Sequence, residues 1–359
     1  MPNLREVGRR SVPAFPRTLL EFQRLFPDEG TCAVHLEAVR WPGGFVCHHC
    51  YWSGEPWRPK RQATVLRCAA CRRDTALTAG TIMHRTKTPL QVWFWGVYLV
   101  TTQTPGMSAL QFQRQLGVKR YETTFQMLHK LRAAMVRPDR DRIGGRWPVE
   151  VDETYVGGKT RGEGRGVHHK TLVVGAVEVR ESSASRTRTT VRRRNVYAGR
   201  LRFQVIPDRQ GETLRPFVAA AVEPGSAVTT DGWVGYEGLA ALGYRHEAVV
   251  IAGDQEVTDN SLPMIHLVFS NFKTWLQGTH HGVSPRHLQA YLNEYVFRFN
   301  RRFYPMTAFN SVLGIGVRIE APTYEDLYRG EWCHPKLTEA DRSGRGGVNR
   351  IGMVQTCNS

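Results

Sequence analysis

Two Cys-x-x-Cys pairs, "CHHC" at Cys47 and Cys50 and "CAAC" at Cys68 and Cys71, stand with 17 residues between them. The segment around them is rich in Trp, Pro, Gly and Arg and too poor in aliphatic residues to build a core, so it folds only if something else staples it. Two such knuckles bring four thiolates round one tetrahedral Zn²⁺, and the intervening "YWSGEPWRPKRQATVLR" supplies the strands of a ribbon. A four-thiolate site has no open position for water, which makes the predicted zinc structural. With four cysteines available, His48 and His49 are expected to be exposed or to face a partner. Cys32, Cys333 and Cys357 lack partner spacing and read as ordinary thiols. Metal-type cysteine spacing, and a start "MPNLREVGRRSVPAF" without an apolar h-region, point to a reducing cytoplasm.

The 359 residues carry a formal net charge of +17, and the usual counterpart of such an excess is a phosphate backbone. Nucleic acid is the expected partner. A membrane is not: the positive charge is scattered among folded-looking segments, and the longest apolar run, Val92 to Val100, is too short to cross a bilayer. Arg58, Lys60, Arg61, Arg67, Arg72 and Arg73 surround the knuckles; they suit phosphate contacts or simply solvate a small module.

The length suggests two or three domains. "TLLEFQRLF" has helical spacing at Leu19, Phe22, Leu25 and Phe26. Helical periodicity returns in "PLQVWFWGVYLVTTQ", "SALQFQRQL" and "YETTFQMLHKLRAAM", the last two joined at Gly117 as a helix-turn-helix or as two antiparallel core helices. After Trp147 the period is that of strands, in "VEVDETYVG", "KTLVVGAVEVR" and "RNVYAGRLRFQVIPD", with a basic hairpin loop expected between the second and third. A helix at "TLRPFVAAAV", strands at "SAVTTDGW" and "EAVVI", and helices at "HLVFSNFKTWLQG" and "PRHLQAYLNEYVFRFNRR" complete an α/β order, a mixed sheet with helices packed on it. The tail after about Tyr324 reads as loose.

Within "VEVDETYV", alternation places Glu150 and Asp152 on one face and Glu153 on the other. Ionised carboxylates inside a buried strand are costly unless paired or bound to a cation. Asp231, in "VTTDGWVGYEGL", follows an apolar approach and precedes a turn glycine, so its carboxylate projects from a strand end. Two carboxylates on neighbouring strands form an oxygen-rich site suited to Mg²⁺ or Mn²⁺, ions able to activate an attacking hydroxyl and stabilise a leaving oxygen. Glu150 and Glu153 are expected to support the strand and its neighbours.

"VEVDETYVGGK", "TDGWVGYEGL" and "GTHHGVSPRHLQAYLNEYVFRFNRR" behind a Cys-x-x-Cys ribbon resemble the bacterial insertion-sequence transposases that join a zinc ribbon to an ISXO2-like, RNase H-like DDE catalytic domain. The resemblance runs from about Phe15 to Pro322. It implies an enzyme that binds terminal inverted repeats, cuts the transposon ends and joins the 3′ hydroxyl to target DNA. Asp152 and Asp231 match its first two catalytic acids. Its expected partners are double-stranded DNA, at the ends and the target, and further copies of itself, as a homodimer or larger assembly. Its expected location is the bacterial cytoplasm, with the nucleoid. The domains implied are 15–80 (ribbon with a preceding helix), 85–140 (helical DNA-binding region), 145–322 (transposase domain) and 323–359 (loose tail).

The third acid departs from the pattern. Relatives with a full triad carry Glu seven residues before a basic residue; counting back from Lys273 gives His266, and no carboxylate occurs from Ser261 to Val283. His266 fits by register, and Asn271 is the rival, since some relatives use Asn. Glu294, Arg298 and Arg301 share one helix face, as near the family's active site or as a surface ion-pair ladder. Lys159 and Lys273, with Arg298 and Arg301, are the residues the resemblance assigns to DNA. The missing carboxylate leaves a second expectation open, a decayed or domesticated transposase that binds ends without cutting. A nuclease without strand transfer is a third.

Overall fold

Thr18 opens α1 (Leu19–Leu25) by accepting the N–H of Glu21, and Asp28 opens α2 (Glu29–Arg40) through a capping box with Thr31. The computed structural model that shows these elements describes residues 16–59, 62–157, 170–181, 196–249, 262–330 and 332–336. The chain divides into two compact units, Met1–Asp139 with Phe303–Ser359, and Arg140–Arg302.

In the first unit, strands β1 (Val65–Arg67) and β2 (Asp74–Ala76) form an antiparallel ribbon. Helices α3 (Leu90–Thr102), α4 (Ala109–Leu116) and α5 (Tyr121–Ala133) follow. Glu29 fixes α3 by accepting the N–H groups of Leu90 at 2.8 Å and Gln91 at 3.0 Å. Gly117, in the left-handed region at φ 64°, ends α4, and after three intervening residues α5 begins at Tyr121, the helix-turn-helix connectivity expected from the sequence.

The second unit holds β3 (Val149–Val156), β4 (Thr171–Glu181), β5 (Val196–Val205), α6 (Gly211–Ala221), β6 (Ala227–Asp231), β7 (Arg245–Val249), α7 (Pro263–His280) and α8 (Pro285–Asn300). Its five-stranded sheet has the order β5-β4-β3-β6-β7. The first three strands in sequence are antiparallel neighbours, and β6 and β7 add in parallel beside β3. This mixed sheet, with helices on both faces, is the RNase H-like architecture. Alternation sorts the faces. Val149, Val151, Val174 and Ala176 pack with Leu214, Phe217 and Val218 of α6. Val173, Val177, Leu201 and Phe203 pack with Ile265, Val268 and Phe272 of α7 and Leu292 of α8. Gly175, opposite Asp152, lets α7 come close: a Cβ there would sit 2.7 Å from the Phe203 ring and 2.9 Å from Ile265 Cδ1.

Glu150 faces α7 and is buried. Its Oε2 accepts the N–H groups of both Met264 and Ile265 at 2.8 Å, so the strand's first acid holds the positive N-terminal end of that helix. Glu178, wholly buried on β4, is likewise satisfied, by Arg180, by the Arg200 guanidinium and by the N–H groups of Gly144 and Arg200.

Past Arg302 the chain belongs to the first unit, where the sequence suggested that the catalytic domain ran to 322. Helix α9 (Ala308–Gly316) packs against α2 and α3, and its Gly316 carbonyl accepts the N–H of Ile82. The segment expected to be loose begins with a short helix, α10 (Tyr324–Tyr328), in a capping box of Thr323 and Asp326. The ribbon and the helical region, expected as separate domains, lie in one unit. No helix among the described residues is long and apolar enough to cross a membrane. The basic hairpin loop expected between β4 and β5 falls largely outside the described residues.

His35 sits inside the first unit's aromatic core, its ring 5.0 Å from Phe26 and 5.6 Å from Phe94, with neither nitrogen hydrogen-bonded among the described residues. Burial holds its pKa down to about 4, below the ordinary 6.5. Between those values the unfolded chain binds a proton that the folded chain refuses, so stability is full above about pH 6.5 and declines as pH falls toward 4. Thermal melts from pH 7 to 4 are expected to show a falling midpoint for this unit, and a smaller fall in His35→Phe. In the second unit, Glu150→Ala strands two buried N–H groups and is expected to cost about 1 to 3 kcal/mol in denaturant unfolding, with Glu150→Gln, which keeps an acceptor, losing less.

Candidate active site and zinc centre

The Sγ atoms of Cys47 and Cys71 lie 3.7 Å apart and those of Cys50 and Cys68 3.6 Å apart. All four are within 4.8 Å of one another. Sulfurs held about 2.3 Å from one tetrahedral zinc stand about 3.8 Å apart, so the quartet has the size that zinc requires. Each knuckle turns on a non-glycine residue in the left-handed region, Tyr51 at φ 60° and Arg72 at φ 61°. Their N–H groups return to the carbonyls of Cys47 (2.9 Å) and Cys68 (3.1 Å). Two unlike residues take the same unfavourable conformation because the shared ligand geometry imposes it.

The ribbon's arginines divide. Arg67 pairs with Asp74 across the hairpin at 2.6 Å and lies over Trp57. Arg58 grips Glu37 with two hydrogen bonds, of 2.6 and 2.9 Å. These two are engaged by acids within the unit while staying part exposed, and Arg72 and Arg73 are exposed. Lys60 and Arg61 lie outside the described residues. His48 contacts Thr75 Oγ1 at 3.3 Å and His49 is exposed, which leaves the ligand set to cysteine. Cys32 is buried and Cys333 exposed; Cys357 lies outside the described residues.

In the second unit, Val149 and Glu150 of β3 pair in parallel with Val228 and Thr229 of β6. Carrying that register on by two residues sets Asp152 level with Asp231, on the face shared with α7. The ladder between the two strands ends at Glu150 and Thr229, so beyond it no backbone hydrogen bonds close the space between them. One carboxylate oxygen from each of Asp152, Glu153 and Asp231 converges there, the three within 4.8 Å of one another. Oxygens round one Mg²⁺ at about 2.1 Å stand about 3 to 4 Å apart, so a small closure of this group fits the ion.

The group is ordered from several directions. Asp152 Oδ1 accepts its neighbour Glu153 N–H at 2.7 Å, and Oδ2 meets His266 Nε2 at 3.0 Å. Asp231 Oδ1 accepts the Trp233 N–H at 3.2 Å, the turn expected from "TDGW". Arg209, in the loop before α6, bridges Glu153 Oε1 at 3.2 Å and Asp231 Oδ2 at 3.5 Å. Its guanidinium lies over the Trp233 ring, and the Trp233 indole N–H donates to its carbonyl. Burial, resisted by Arg209 and reinforced by Asp152 and Asp231, pushes the Glu153 carboxyl up to about 7. Asp231 is raised as well, by burial and then by Asp152. Burial also holds the Tyr236 hydroxyl well above its usual range, and the three acids add to the effect.

Seven residues, close to two helical turns, put Lys273 on the His266 face of α7. There Nζ donates to Thr154 Oγ1 at 2.6 Å, and burial with the nearby Lys170 lowers its pKa against the pull of Asp152. Asn271, five residues from His266 and so on another face, is exposed and is not a partner of the acids. His266 reaches Asp152 but stands outside the converging set of ligand atoms. Arg298 and Arg301 lie elsewhere, near the end of α8, which packs along the edge strand β5 and binds Leu201 through Asn300. Glu294 is 1% exposed and Arg298, its Nη1 3.7 Å from Glu294 Oε1, is half-buried, so this pair is not a surface ladder. Arg301 stacks on Phe297. Lys159 falls outside the described residues.

Residues 143–300 match the ISXO2-like transposase domain, and residues 27–74 match the transposase zinc-ribbon domain. The chain belongs to the insertion-sequence transposases. No curated protein and no solved structure matches it. The transposase-domain match nearly coincides with the second compact unit and contains Asp152, Asp231 and His266, and the ribbon match contains all four cysteines.

The sequence had put Glu153 on the face away from Asp152 and gave it only a supporting place; in this transposase its carboxylate joins the group. The only signal for it was its place next to Asp152 in "DET", just past the last β3–β6 pair. Arg209 and Tyr236 had no comparable signal, because only the sheet order brings the loop after β5 and the turn after β6 to the end of β3.

The thiolate quartet yields a direct expectation. Native protein should release one zinc per chain on thiol modification, read with a metallochromic dye, and Cys68→Ser should retain little of it. Chelation should lower the melting midpoint of the first unit, since ligand binding and folding of so small a module are coupled.

Proposed function

We propose that this transposase binds the terminal inverted repeats of its element and carries out phosphodiester cleavage and strand transfer at the Asp152–Asp231 site, with Mg²⁺ or Mn²⁺. The observation that carries this reading is the convergence of Asp152 and Asp231 from adjacent parallel strands, on a sheet of RNase H-like order, to a spacing that fits a hard divalent cation. The cation, when bound, lowers the pKa of a coordinated hydroxyl and stabilises the leaving oxygen.

The protein's own groups do the positioning. His266 holds Asp152 Oδ2, and the Glu153 N–H holds Oδ1, so that carboxylate presents a fixed orientation. Trp233 and Arg209 do the same for Asp231. Lys273, beside Thr154 on the same face, supplies a positive charge for a DNA phosphate near the scissile bond. In the first step water attacks the phosphorus at the transposon end and a 3′ hydroxyl leaves. In the second that hydroxyl attacks a target phosphodiester and displaces a target 3′ oxygen, so bonds broken and formed balance without an external energy source. His266 takes the register position of the family's third acid as an orienting residue for Asp152; Asn271 is not favoured.

For end recognition, the exposed Arg72 and Arg73 of the ribbon and Arg114, Lys119 and Arg120 around the α4–α5 turn offer positive charge to a duplex backbone. Arg298 and Arg301 are less suited to that task, being engaged at α8. Paired ends require two such sites, which favours a homodimer or larger assembly on bacterial chromosomal DNA.

Strand transfer with Mn²⁺ on DNA carrying the element's ends tests the reading. Asp152→Asn and Asp231→Asn are each expected to lower the rate by on the order of 10³ or more while end binding in a gel-shift assay is kept. Wild-type protein that binds the ends and cuts nothing would overturn the catalytic reading and leave a DNA-binding descendant of a transposase, the outcome to which the absent α7 carboxylate lends support.

A further inference from the structure

Five of the six carboxylate oxygens in the acidic group have a partner. Asp152 spends its two on the Glu153 N–H and His266, Asp231 on the Trp233 N–H and Arg209, and Glu153 spends Oε1 on Arg209. The sixth, Glu153 Oε2, is buried without a hydrogen-bond partner among the described residues, on a side chain only 1% exposed. A buried carboxylate oxygen left in that state is costly, and the same Glu153 carboxylate supplies one of the three ligand atoms that lie within 4.8 Å of one another.

Resting on the reading of Asp152 and Asp231 as the residues that hold the divalent cation, we propose that Glu153 is the third carboxylate of that site, supplying from β3 the negative charge that α7 lacks. Charge balance supports the assignment. With all three carboxylates ionised, as a bound cation would favour, they and the Arg209 guanidinium carry a net charge of minus two, opposite to one divalent cation; without Glu153 the group would be half as negative. The third acid of the family pattern sits on a helix, and here a strand residue beside the first acid does its electrostatic work. Arg209 is then a brake on affinity: it holds Glu153 and Asp231 in place and competes with the cation for both. His266 keeps a positioning role on Asp152.

Mn²⁺ titration of the full, zinc-loaded protein, followed by electron paramagnetic resonance, separates this proposal from the reading beneath it. Wild type should show a saturable Mn²⁺ site that Asp152→Asn abolishes. Glu153→Gln, nearly isosteric, should weaken Mn²⁺ binding by on the order of tenfold or more with the melting midpoint little changed. Arg209→Met should tighten it, and the double variant should lose that gain. Equal affinity in Glu153→Gln and wild type, with Asp152→Asn still lost, would overturn the proposal and leave the Asp152–Asp231 site standing. No site in wild type would overturn both. Should Glu153→Gln fail to fold, Arg209→Met decides, since unchanged affinity there is incompatible with a guanidinium that competes for the cation's third carboxylate.

Discussion

The second unit depends on a carboxylate that takes no part in the proposed chemistry. Glu150 accepts the first two free N–H groups of α7, and that contact sets where the helix begins relative to β3. Every feature that α7 brings to the site is counted from there: His266 one residue past Ile265, and Lys273 two turns on. Gly175 completes the fit by leaving room for Ile265 beside the Phe203 ring. Strand and helix are far apart in sequence, so this pair of hydrogen bonds turns a 114-residue separation into a fixed side-chain geometry at Asp152.

The two units solve the problem of stability differently. In the second, a continuous sheet buries Val, Leu and Phe on both faces, and buried acids such as Glu150 and Glu178 are met by backbone N–H groups and arginines. The ribbon has no such core. Its substitute is the thiolate quartet, aided by contacts that fasten it to α2: the Arg40 guanidinium gathers the carbonyls of Ala76, Leu77 and Ala79, and Arg58 holds Glu37. Arginine is used there as an internal fastener, because its planar fork satisfies several acceptors at once. A count of basic residues therefore overstates the charge that this module offers to DNA.

Much of this was legible in the sequence because it rests on local period and spacing. The cysteine quartet, the strands of the sheet, α3 to α5 and the long helices α7 and α8 all appear where pattern placed them. Helix α2 escaped notice: "EGTCAVHLEAVR" has only a weak apolar stripe, and its start is marked by Asp28 and Thr31, a capping box in which Thr replaces the usual Glu or Gln. The return of α9 to the first unit was not legible, since a run of apolar residues such as "AFNSVLGIG" says that it will be buried and not where. The same limit applies at the acidic group. Alternation placed Asp152 on the face of Glu150, and the turn glycine placed Asp231 at a strand end, yet neither could show that the β3–β6 ladder stops before them. That stop is what lets Glu153 turn in from the other face, and with it comes Arg209 from a loop 56 residues away.

Positive charge overall and negative charge at one point are physically linked in this chain. A net charge of +17 draws a polyanion to the surface, but unscreened carboxylates at the site would repel any phosphate that approaches them. Arg209 relieves part of that repulsion in the protein alone, and Lys273 and Lys170 flank the group with further positive charge. None of these cations can accept the lone pairs of a hydroxyl and sharpen it as a nucleophile, which a small divalent ion does. On the proposed reading, the acids are kept slightly under-neutralised by design of the fold: enough negative charge remains to recruit a divalent cation, and once that cation is held the site no longer opposes the DNA that the rest of the surface has gathered.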